Sequence, residues 1–205
     1  MGNTVGSRPT YRGIDPVTTD PVKSTNSVGK GEIVISEYDT STLSNAGFSK
    51  SRDYLAVYIS GYADGEGCFS VSIRRRSKLR VGWEVRPSFS VAQKRGRTEV
   101  LNLMLQYFRC GTLRYSSTDD TEHYETRSIT DISKYIVPHF EKYPLLSSKQ
   151  RDFEIFKTVC EIIKDGKHLQ ILGLQQILIL TASMPHISLL RRDYLESIVS
   201  KLNRE

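Results

Sequence analysis

From Cys68 to Arg74 the chain alternates strictly, with Phe69, Val71 and Ile73 on one side and Ser70, Ser72 and Arg74 on the other. Trp83 to Gln93 repeats the pattern, setting Val85, Pro87, Phe89 and Val91 against Arg86, Ser88, Ser90 and Ala92. A period of two belongs to a strand with one buried face, so these stretches predict two strands joined by a basic turn, Arg75 to Val81. A two-stranded ribbon of this kind can lie in the DNA major groove. An ordinary solvated sheet face shows the same alternation. Ahead of the strands, Ser51 to Ala63 has a capping serine, an early acid and apolar residues on more than one face, which predicts a helix buried on both sides. Gly61 and Gly65 lie four apart on it and would let another backbone come close. Val100, Leu101, Met104, Leu105 and Phe108 are spaced for an amphipathic helix over Arg97 to Cys110, with Gly111 as its stop. Thr112 to Ser116 and His123 to Ile129 predict a second hairpin across a polar loop, and Asp131 opens a third helix to about Phe140. The order is αββαββα. It implies an α+β fold with helices on one face of a four-stranded antiparallel sheet. Lys149 to Asp165 predicts a further helix; Gln170 to Met184 and Ile187 to Leu202, broken at Pro185, predict two more that cover the core.

Composition changes this picture in two places. Residues 1–50 are rich in Gly, Ser, Thr, Pro and Asp, and only Glu32 to Ser36 hints at a strand, so they are expected to form a mostly disordered extension ahead of a domain over 51–205. The chain of 205 residues carries a formal charge of +6. The excess is local: between Cys68 and Tyr115 stand eleven basic residues and two acids. A basic segment of this kind suits a polyanionic partner. Three scattered cysteines without CxxC spacing argue against a disulfide framework or a zinc site. Four dispersed histidines match no metal spacing. No apolar run is long enough to span a membrane, so an intracellular protein is expected, in bacterial cytoplasm or an organelle.

The candidate chemistry sits where the first helix ends. Ile59-Ser-Gly-Tyr-Ala-Asp-Gly-Glu-Gly67 leaves one carboxylate, Glu66, beside the glycine that stops the helix. The run resembles the nine-residue signature of the LAGLIDADG homing endonucleases, with Ser60 in place of Ala and Glu66 in place of the second Asp. The resemblance covers about Tyr54 to Met184 and extends to three further residues. Gln93 ends the second strand, Arg97 follows four residues later, and Lys149 closes the run Tyr143-Pro-Leu-Leu-Ser-Ser-Lys149.

Membership would imply a single-motif homodimer. The motif helices would pair through Val57, Gly61, Tyr62 and Gly65. The catalytic set would be Glu66, Gln93, Arg97 and Lys149, with Glu66 and Gly65 binding Mg²⁺, or Mn²⁺ in its place. Asp64 is expected to cap or pack near the helix end rather than bind metal. A four-stranded saddle would meet double-stranded DNA through Ser70, Ser72, Arg74, Arg76, Arg86, Ser88, Ser90, Lys94, Thr112 and Arg114. The implied activity is a double-strand break in a long pseudo-palindromic site that promotes intron homing. Hydrolysing a phosphodiester needs a divalent ion and an activated water. An RNA maturase or DNA-binding regulator that keeps the fold is the alternative, with intron RNA as a further candidate partner. A pure binder has no need of the Glu66, Gln93, Arg97 and Lys149 set.

Overall fold

The computed structural model describes residues 48–203; residues 1–47 of the expected disordered extension, with the strand over 32–36, lie outside the described residues, and residues 48–50 are helical instead. Helix α1 spans Phe48–Glu66 and runs directly into β1, Gly67–Arg75. It starts one turn earlier than the sequence predicts, because neither proline nor glycine stands between Phe48 and Ser51. Strand β2 is Trp83–Lys94, α2 Glu99–Phe108, β3 Thr112–Ser116 and β4 Thr121–Thr126. The sheet order is β1-β2-β4-β3, with every neighbour antiparallel. The αββαββα unit and the four-stranded antiparallel sheet are as expected.

Phe69, Val71 and Ile73 of β1 and Val85, Phe89 and Val91 of β2 are buried, and the helices pack against that face. Its centre is aromatic. Phe69 lies 5.0 Å from Phe89 and 5.2 Å from Phe140, ring centre to ring centre. Such pairs add about 0.5–1.5 kcal/mol each beyond the area they bury.

Further boundaries differ from the sequence expectation: β4 starts two residues earlier and ends at Thr126 rather than Ile129, and α2 starts at Glu99 rather than Arg97. Gly111 does not end α2. Arg109 does so, in a left-handed conformation with φ of 54° and its N–H on the Leu105 carbonyl. Gly111, at φ of 85°, then carries the backbone so close to Glu125 that a Cβ would stand 2.8 Å from its carbonyl oxygen. The third helix opens at Ile129 rather than Asp131, with the Ser128 hydroxyl accepting from Asp131 N–H. Short α3, Ile129–Asp131, passes through a π-helical turn, Ile132–Ile136, into α4, Val137–Lys142. The wide turn precedes Pro138, whose missing N–H interrupts the ordinary ladder.

Helices α5 (Lys149–Lys164), α6 (Ile171–Ala182) and α7 (Leu189–Leu202) complete the layer. Strand β1 is a sheet edge, and Arg191 of α7 donates to its free Val71 carbonyl at 2.9 Å. That bond covers part of an edge that would otherwise be open to pairing. Among the described residues no helix is long and apolar enough to cross a membrane.

Candidate active site

The last turn of α1 carries Asp64, Gly65 and Glu66, and Gly67 begins β1 with no loop between. Only glycine fits there, since a Cβ at Gly67 would lie 2.5 Å from the Ala63 carbonyl oxygen. The abrupt junction fixes Glu66 at the end of the sheet. Gly67 pairs with Val91, two residues before Gln93. The Glu66 side chain is exposed and makes no ion pair with the described residues. Partial burial raises the Tyr62 phenol first, and the charges of Glu66, Tyr58 and Glu99 raise it further.

Lys149 reaches the same helix end from α5. Its Nζ donates to the Gly65 carbonyl at 3.1 Å and to the Ala63 carbonyl at 3.2 Å. An ammonium there satisfies carbonyls that a helix C-terminus leaves without partners and complements its dipole. Lys149 is thus held on the carbonyl next to Glu66, at the same helix end, and Gln93 approaches through strand register. Arg97 is exposed in the turn after β2; its backbone N–H bonds Lys94 O, and no side-chain hydrogen bond joins it to the other three among the described residues.

Asp64 packs near the helix end as expected, and its bonds go to a distant turn rather than to a cap of α1. Its Oδ2 accepts the N–H groups of Leu146 and Ser147 at 3.0 and 2.9 Å, and its Oδ1 accepts the Ser147 hydroxyl. Partial burial alone would raise this carboxyl; those hydrogen bonds and the charge of Lys149 hold it below the usual carboxylate value.

Ser60, the departure from the signature's alanine, is also committed. Its hydroxyl donates to the Tyr143 carbonyl at 2.7 Å and lies 3.1 Å from His139 Nε2. His139 Nδ1 lies 3.0 Å from the Tyr107 hydroxyl. Because the Ser60 proton is spent on Tyr143, Nε2 donates to Ser60, and in the neutral ring that burial favours Nδ1 accepts from the Tyr107 hydroxyl. Burial pushes His139 down to about 4. Between the ordinary value of 6.5 and about 4 the unfolded chain binds a proton that the native state refuses. Stability should therefore fall as pH drops through that window, by up to about 1.4 kcal/mol per pH unit. Urea melts at pH 7 and pH 4.5 check this: His139→Gln should flatten the pH slope.

The sheet face turned away from the helices carries the polar positions. Ser70 bonds Ser88 across the strands at 2.8 Å, Ser72 faces Arg86, and Arg74 faces Glu84. Ser90 and Thr112 flank Glu125, Arg114 faces His123, and Lys94 donates to the Asp119 carbonyl. Arg76 lies just past β1, in the turn, and bonds Glu84. The sequence reading missed two acids on or beside this face. Glu84 is held by Arg76 and Arg86, and Glu125 by Arg114 and Arg127. They pre-orient arginines and reduce the free positive charge.

Away from the sheet, α1 exposes Tyr54, Val57 and Tyr58, at 68%, 59% and 51%, in line with exposed Gly61 and Gly65. Tyr62 is half-buried. A Cβ at Gly61 or Gly65 would meet nothing within 4 Å in this chain. One helix thus buries Ala56, Ile59, Ser60 and Ala63 inward while leaving an apolar, small-residue stripe uncovered.

A family model described as LAGLIDADG endonuclease matches residues 59–160, which hold the C-terminal part of α1 with the motif, the whole sheet and Lys149. The chain belongs to the LAGLIDADG endonuclease family. A LAGLIDADG homing endonuclease crystallised bound to target DNA, I-LtrWI, superposes with a TM-score of 0.66 at 32% identity over 70% of this chain and 49% of its own. The homing endonuclease I-TnaI superposes with a TM-score of 0.65 at 29% identity over 72% of this chain and 97% of its own. In sequence the chain is similar to "Probable intron-encoded endonuclease 2" of Neurospora crassa, 32% identical over 62% of this chain and 28% of that protein. It spans about a quarter of the length of such relatives. The LAGLIDADG match ends in α5, so α6 and α7 lie beyond it.

Proposed function

We propose that this protein is a site-specific homing endonuclease that works as a homodimer and cuts both strands of DNA. The observation that carries this is Lys149 bound to the Gly65 carbonyl beside Glu66, at the end of a helix whose outward stripe is apolar and open. Two such helices packed on each other would bring two Glu66 carboxylates together over one duplex. I-TnaI, a homing endonuclease matched over almost its full length, supports a single unit of this size as a working subunit.

The sheet face would lie along the major groove. Its serines, Thr112 and arginines would contact base edges, with Lys94 and the remaining arginines on phosphates. Two-fold symmetry of the protein would be mirrored as a pseudo-palindromic target. Glu66 and the Gly65 carbonyl are hard oxygen donors of the kind Mg²⁺ prefers, and Mn²⁺ accepts the same set. Among the described residues no three Asp, Glu, His or Cys side chains gather as a metal cluster. A second chain and DNA phosphates would complete the donor set. Such an ion would polarise the scissile phosphate and acidify a water. Gln93 would orient that water, Arg97 would hold charge near the phosphate, and Lys149 would neutralise or protonate the leaving oxygen. The similarity to intron-encoded endonucleases supports intron homing as the outcome of the cut.

A plasmid carrying the intron-less exon junction tests the proposal. Purified protein with Mg²⁺ should linearise it, and chelation should stop the reaction. Tight binding with no cutting, together with improved splicing of the intron RNA, would establish the maturase alternative instead.

A further inference from the structure

The assignment of Lys149 as a working group of the nuclease centre raises the question of what holds it there, and the following inference rests on that assignment. We propose that Asp64, the inner acid of the motif, is the positioning residue for Lys149: it pins the Leu146–Ser147 turn so that the next residues deliver the ammonium to the end of α1.

Three donors converge on the Asp64 carboxylate, two backbone N–H groups and one hydroxyl, all from a turn more than eighty residues away in sequence. The chain of bonds continues to the lysine. Ser147 Oγ, which donates to Asp64, also accepts the backbone N–H of Lys149 at 3.1 Å. Apolar packing does little for the pinned part of the turn, because Leu146 is 93% exposed. Leu145 alongside is buried, with its N–H on Gln150 Oε1. One end of the turn is therefore held by the core and the other by Asp64.

The geometry also explains why the position calls for a carboxylate. Both oxygens accept, and every partner donates. An asparagine would offer one acceptor and turn an NH₂ group toward N–H or O–H donors. The same occupancy argues against Asp64 as a metal ligand, since it would have to release charge-assisted hydrogen bonds to bind one.

The test compares Asp64→Asn, Lys149→Met and the double variant in single-turnover cutting of the intron-less plasmid. Asp64→Asn should lower the cutting rate about 10–100-fold, the range expected when a catalytic group is misplaced by a fraction of its own size. The half-saturating DNA concentration and Mn²⁺ affinity by calorimetry should stay unchanged. The double variant should be no slower than Lys149→Met alone. Amide exchange at Leu146 and Ser147 should accelerate at least about tenfold in Asp64→Asn while the core amides keep their protection. Ser147→Ala, which removes only the hydroxyl link, should slow cutting by a smaller factor and serves if Asp64→Asn folds poorly. Additive losses in the double variant, weakened Mn²⁺ binding, or unchanged exchange at the turn would each overturn the proposal. Should the wild-type protein never cut DNA, the nuclease assignment fails, and the exchange measurement still decides whether Asp64 holds the turn.

Discussion

Glu66→Gln is expected to reduce DNA cutting by at least about a thousand-fold while leaving target binding within a few-fold of wild type. The substitution keeps the size of the side chain and removes its charge. Within the chain Glu66 is exposed and makes no ion pair with the described residues, so the fold loses nothing by the exchange. Binding is expected to come from the sheet face, where Ser70, Ser72, Arg86 and Arg114 stand apart from the end of α1. In the proposed centre cutting would depend on an anionic oxygen that holds a divalent cation, and a neutral amide is a far weaker ligand for one. Single-turnover cleavage with Mg²⁺, paired with a gel-shift titration at the same salt, reads both quantities. Thermal melting should be unchanged. Loss of binding along with cutting would make Glu66 a structural residue, and normal cutting would remove it from the centre altogether.

The period-two pattern of β1 and β2 was enough to place both strands, their buried faces and the polar face. The signature run was enough to put Glu66 at a helix terminus. Both are local properties, since side-chain direction along a strand and the stop of a helix depend on near neighbours. What the chain hides is which distant groups meet. Asp64 bonds a turn 82 and 83 residues on, and Ser60 meets a histidine 79 residues on. Nothing in the hydrophobic pattern marks either pair. Glu84 and Glu125 were passed over for a related reason. Counting charges over a segment says nothing about which acid sits between two arginines in the folded sheet. The end of α2 was misplaced because glycine is the usual left-handed cap, whereas here Arg109 takes that conformation and Gly111 serves a close backbone approach. Pro138 was a signal available in the sequence for the irregular turn ahead of α4.

Gly61→Leu should separate folding from assembly, because the two respond in opposite directions. In the single chain Gly61 is exposed, and a Cβ there would touch nothing within 4 Å. Leucine also favours the helical backbone over glycine by about 0.5–1 kcal/mol. The isolated subunit should therefore melt at the same temperature or a few degrees higher. The neighbouring Tyr54, Val57 and Tyr58 remain exposed on the same face, so a partner helix laid on this stripe would cross closest at Gly61 and Gly65. A leucine at that crossing would force the proposed helix pair apart by the width of a side chain, an overpacking that would remove contacts along the whole seam. Sedimentation should change from dimer to monomer at micromolar concentration. Double-strand cutting should fall to background, since each Glu66 would lose its counterpart. A variant that stays dimeric and cuts normally would show that the two subunits do not meet through this helix face. A variant that is unfolded would instead mean that Gly61 is needed inside the subunit, against the open space seen around it.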